Sequence, residues 1–78
     1  MKKNIRQVTL DKENREKLIS EIQEYFLEER DEELGNLAAG FILDFIIENI
    51  APTFYNQGIK DSIKYMNERV EDLYGLEL

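Results

Sequence analysis

The chain contains no cysteine, no histidine and no tryptophan, and it has a single proline. Without cysteine, neither a disulfide nor a thiolate metal site reinforces the fold. Without histidine, the chain lacks the usual general base near neutral pH and the commonest zinc ligand. Cations are scarce as well: 10 Lys and Arg stand against 17 Asp and Glu, for a net charge of −7. That balance argues against binding a nucleic-acid backbone, which calls for clustered Lys and Arg. It argues equally against an anionic membrane surface. The most apolar run, residues 37–50, is too short to span a bilayer and is interrupted by Asp44. Lys2 and Lys3 are followed by Asn4, Arg6 and Gln7 rather than by an apolar segment, so no signal peptide is expected. The expected location is the cytoplasm, and neither nucleic acid nor membrane is an expected partner.

What is present is helical. The 78 residues suit one domain, 1–78, near the size below which a single core gives little stability. Residues 1–10 form a basic lead-in, where partial alternation of Ile5, Val8 and Leu10 leaves open a short strand that only Leu76 and Leu78 are placed to pair. Asp11 is a good N-cap, its carboxylate able to accept from the backbone of Glu13 or Asn14. From there Leu18, Ile19, Ile22, Tyr25, Phe26 and Leu27 recur at helical spacing, which predicts a first helix over about 11–33. Its last turns are acidic and oppose the helix dipole, so this end should be the weakest part of the helix.

Gly35 is expected to take a left-handed conformation that ends helix one, with Asn36 capping helix two over about 36–51. Helix two is apolar nearly all round; Asp44 and Glu48, four apart, are its only charges. Such a helix needs cover on more than one side. Gly40 is read as a point where another backbone comes close. Pro52 has no N–H and clashes with the carbonyl of residue 48 in a straight helix, so a break or sharp kink is expected, followed by a third helix over about 52–74. Ile59, Ile63, Met66, Val70 and Leu73, at spacings of 4, 3, 4 and 3, form the seam expected to pack on helix two.

Chemistry is harder to find. Ser20 and Ser62 lie inside amphipathic helices with no histidine available, and neither sits in a nucleophile elbow, so no enzymatic role is expected. Asp44, Glu48, Asp61 and Glu28 resemble a loose carboxylate set for Mg²⁺ or Ca²⁺, yet no EF-hand loop accompanies them. The plainer reading pairs these acids with Lys60, Lys64 or Arg69, and no metal or cofactor is expected. The local oddity is Tyr55-Asn56-Gln57. Asn56 falls on the seam of helix three, where burial without partners would cost roughly 1–3 kcal/mol. It is therefore expected either to bond carbonyls freed at Pro52, to pair with Tyr55 or with its own copy in a dimer, or to anchor a small ligand beside Tyr55 and Gln57. Residues 21–33 carry seven acids and one cation, Arg30. They read as a solvated face or as a docking surface for a basic protein partner through residues 24–33.

The segment Pro52-Thr53-Phe54-Tyr55-Asn56-Gln57-Gly58-Ile59, with Leu10 and Glu13, Glu33-Leu34-Gly35 and the run from Phe41 to Glu48, resembles a family of short bacterial proteins catalogued as domain of unknown function 2164. The resemblance covers roughly residues 8–75, and a proline followed by Tyr-Asn-Gln is its distinctive element. The family pattern often has glycine before that proline; Ala51 stands there in this chain, which favours an ordinary helix end. The resemblance implies a complete small domain and no catalytic residue, substrate or cofactor.

Together these readings predict an all-α, compact three-helix domain with helix two between its neighbours. Its core is expected to draw on Leu18, Ile22, Phe26, Phe41, Phe45, Ile46, Ile59, Ile63, Met66 and Val70. Ile42, Leu43, Ile47 and Ile50 are left over on helix two as an apolar patch, and such patches mark interfaces. The leading functional expectation is an interaction module that dimerises with its own copy through that patch. A ligand or metal binder using Tyr55, Asn56 and Gln57, and an acidic adaptor, are the alternatives.

Overall fold

The structure is a computed structural model that describes residues 8–77. It is all-α, with three helices in chain order: α1 (Lys12–Arg30), α2 (Asn36–Asn49) and α3 (Ala51–Tyr74). Val8 to Leu10 form no strand, and residues 4–7 and 78, on which the strand expectation also rests, lie outside the described residues.

Local chemistry explains the helix ends. Asp11 caps α1, its Oδ1 accepting from the Asn14 backbone N–H at 2.8 Å. At the other end the left-handed residue is Asp31 (φ 53°, ψ 42°), not Gly35. The Asp31 N–H donates to the Leu27 carbonyl and the Glu32 N–H to the Phe26 carbonyl, each at 3.1 Å. These two crossed bonds close α1 three residues earlier than the acidic run suggests, because the turn satisfies carbonyls that further helix would otherwise use. Gly35 is extended (φ −70°, ψ 168°) and serves as the N-cap of α2, so Asn36 is already helical.

α1 and α2 form an antiparallel hairpin. Arg15 reaches Asp44 at 2.8 Å, Ile19 lies over Gly40, and Gln23 donates to the Asn36 side chain at 2.8 Å and to the Leu34 carbonyl at 3.0 Å. The core sits between these helices and is small: Ala39, Gly40 and Leu43 are its buried residues, with Leu43 only 2 % exposed. A Cβ built on Gly40 would meet the tips of Arg15 and Ile19 at 3.7 and 4.0 Å, so side chains rather than a backbone cover this glycine.

Compactness is where expectation and structure part. α3 does not fold back on α2; the two are bent by only 42°. Reversing a chain between helices takes a connection of about 2–5 residues, and here a single residue, Ile50, separates them. Ile50 itself keeps a right-handed helical backbone (φ −113°, ψ −46°), and the Thr53 N–H turns to its carbonyl at 3.1 Å. Pro52, in the first turn of α3, thus accompanies a short break that bends the helix path without reversing it. α1 and α3 do not touch. The radius of gyration is 19.0 Å, against about 11.5 Å for a compact domain of this length.

The expected core is corrected accordingly. Ile22, Phe26 and Ile46 are half-buried between α1 and α2, whereas Phe41, Phe45, Ile59, Ile63, Met66 and Val70 are exposed, and Leu18 is at the margin.

Candidate functional site: an uncovered apolar stripe

Every residue of α3 from Thr53 onward is exposed, including its whole seam of Ile59, Ile63, Met66, Val70 and Leu73. On α2 the exposed large apolar side chains within the helix are Leu37, Phe41 and Phe45, at 73, 64 and 58 %. Spacing joins the two sets. From Leu37 to Phe45 the steps are fours, then Glu48, Pro52 and Tyr55 lead to Ile59 in steps of three or four. At about 100° per residue, every member from Leu37 to Leu73 falls within an arc of roughly 80°. By this spacing the two sets continue one stripe, with a 42° bend between its α2 and α3 stretches. Pro52 is the one half-buried member and Glu48 the one charged member.

The residues expected to form the exposed patch differ in burial. Leu43 is the most buried large side chain among the described residues, so its place on an exposed patch is corrected. Ile42 and Ile47 are half-buried, and Ile50 lies exposed at the bend. The expectation that helix three packs its seam on helix two left Ile42, Leu43, Ile47 and Ile50 over; with α3 bent away by 42°, the exposed side of α2 is instead that of Leu37, Phe41 and Phe45. The signal was the unbroken three-and-four spacing through the proline.

Tyr55 and Asn56 are exposed on the first turns of α3. Gln57 donates to Asp61 at 3.0 Å, one helical turn on. Among the described residues the Asn56 side chain has no intramolecular hydrogen bond, so the expected bond to the carbonyls at Pro52 does not form; Asn49 instead donates to the Phe45 carbonyl at 3.1 Å. A shallow groove beside the α1–α2 turn is lined by Gln23, Leu27, Glu33, Leu34 and Gly35, away from the triplet.

Charges around the stripe are unevenly shared. α2 has acids but no cation, and Asp44 is held by Arg15 rather than by Lys60, Lys64 or Arg69 of helix three as expected. Along α3, Lys60 and Arg69 flank the seam; Arg69 lies 4.9 Å from the centre of the Tyr65 ring and 3.2 Å from Asp72. Among the described residues, Glu48, Lys60 and Lys64 form no ion pair within the chain. Acids 28–33 lie exposed around the end of α1, where Arg30 pairs with Glu32 at 3.5 Å. No three Asp or Glu side chains among the described residues come together as metal ligands. No single described helix is long and apolar enough to cross a membrane; α2 and α3 pass that test only as a bent pair.

The family described as "Uncharacterized conserved protein (DUF2164)" matches residues 8–76, and the chain belongs to it. No curated protein and no solved structure matches the chain.

Proposed function

We propose that this member of the DUF2164 family is a non-enzymatic interaction module that works as a homodimer, with the stripe along α2 and α3 as the subunit interface. The observation that carries this reading is the unpartnered seam of α3. A 24-residue helix with an apolar stripe takes most of its stability from packing that stripe, not from helix propensity. Among the described residues its seam, Ile59, Ile63, Met66, Val70 and Leu73, is exposed throughout.

The surface area supports the same reading. The chain exposes 7026 Å², whereas a compact monomer of its mass exposes about 5,000 Å². The excess, roughly 2,000 Å², lies within the 1,000–2,500 Å² per subunit that obligate homodimers remove from water. Helix two contributes to the interface through Leu37, Phe41 and Phe45 rather than through Leu43.

The test is the solution mass by light scattering over a wide concentration range. A mass of twice the chain, persisting on dilution, is the expected result. A monomer at every concentration would overturn the proposal.

A further inference from the structure

The stripe is nearly palindromic in its spacing, and its charges are not. Read forward from Leu37 the steps are 4, 4, 3 and 4; read backward from Leu73 they are 3, 4, 3 and 4. Laid antiparallel on a second copy, residue i meets a residue near 111 − i. Phe41 then faces Val70 of the other copy, Phe45 faces Met66, and Leu37 lies beside Leu73. Each large aromatic of α2 meets an aliphatic of α3, and the two-fold axis passes beside Tyr55 and Asn56.

Charge selects between this arrangement and a parallel one. In a parallel pair Glu48 faces its own copy inside an apolar seam, Lys60 lies beside Lys60 and Arg69 beside Arg69. Like charges so placed are destabilising, and a desolvated carboxylate without a cation is costly. In the antiparallel pair Glu48 faces Ile63 of the other copy, whose neighbour one turn away is Lys60. Lysine stems lie along apolar surface while the ammonium reaches outward, so Lys60, with Lys64 one turn further along the same edge, can meet Glu48 across the seam. None of these three has a partner within the chain among the described residues. Asn56, on the stripe's edge with no intramolecular side-chain bond among the described residues, would sit at the axis within reach of its own copy.

Resting on the homodimer reading, we infer that two chains pair antiparallel, α2 of each on α3 of the other, with Glu48 held by Lys60 across the interface. The chain has no cysteine, so introduced thiols report unambiguously. Full-length Asn56→Cys, Leu73→Cys and Leu37→Cys chains are oxidised at a concentration where the mass is known. Expected are a disulfide-linked Asn56→Cys dimer, no self-linked Leu73→Cys dimer, and a mixed link when Leu73→Cys and Leu37→Cys chains are combined. In parallel, Glu48→Lys chains should associate at least tenfold more weakly and recover when mixed with Lys60→Glu chains. A dimeric mass with self-linked Leu73→Cys, or with neither the Asn56→Cys link nor the mixed link, overturns the antiparallel arrangement and leaves the homodimer standing. Failure of the charge swap to recover association removes the Glu48–Lys60 contact. A monomeric mass overturns both readings.

Discussion

Replacing Ile63 with glutamate separates a solvated helix face from a subunit interface by sign as well as size. Ile63 is 55 % exposed in the single chain. If α3 stays in water, the change is a surface substitution and shifts stability by no more than about 0.5 kcal/mol. Helix propensity favours the change slightly, since glutamate is the better helix former. If the stripe is an interface, association removes the remaining half of the isoleucine from water. Full burial of such a side chain is worth about 1.5–3 kcal/mol, so the half left over gives about 1 kcal/mol per copy and about 2 kcal/mol per dimer. Two carboxylates in the seam add at least another 1–2 kcal/mol. A total of about 3 kcal/mol or more weakens dimerisation at least 100-fold. Sedimentation velocity over a dilution series measures this directly. A thermal melt repeated at several concentrations provides a second reading, because a dimer's midpoint rises with concentration and a monomer's does not. An Ile63→Glu chain with the wild-type association constant and the same concentration-independent melt would refute the reasoning.

Other perturbations follow from the hairpin. Leu43→Ala should cost about 2–4 kcal/mol, a large share of the roughly 4–12 kcal/mol available to a chain of this length; a loss below 1 kcal/mol in chemical denaturation would show that the α1–α2 core matters less than its burial implies. Asp31→Gly should stabilise by about 0.5–1 kcal/mol, because glycine enters the left-handed region without a Cβ penalty and the change removes an acid from a helix C-terminus; a lower melting temperature would count against that cap. Gly40→Ala should be neutral or stabilising by up to about 1 kcal/mol, since the methyl meets only the movable tips of Arg15 and Ile19; a loss above 1 kcal/mol in the same assay would mean α1 lies closer to α2 than those contacts allow.

Much of the local structure was legible in the residues. Asp11 announces the start of α1 and does cap it. The spacing of Ile59, Ile63, Met66, Val70 and Leu73 marks one face of α3, and the apolar excess of helix two matches a helix that leaves Leu37, Phe41 and Phe45 exposed among the described residues. These features rest on short-range chemistry: caps, periodicity and a missing amide. Gly35 was misjudged because an aspartate took the left-handed position first, and residue type alone does not say which of two candidates a turn will use.

The candidate site itself depended on one angle. By itself the sequence determined that the chain is all-α, that its helices break near residues 34–36 and at Pro52, and that an apolar stripe runs along α3. Only the tertiary structure decided which side of α2 remains open. A five-residue connection lets α1 and α2 reverse, so Ala39, Gly40 and Leu43 turn inward beneath Arg15, Ile19 and Gln23. A one-residue connection at Ile50 lets α3 bend by 42° but not return, so Leu37, Phe41 and Phe45 stay in line with the seam beyond Pro52. Proline removes one hydrogen bond and imposes a bend, but the length of chain around it sets whether the next helix folds back or runs on.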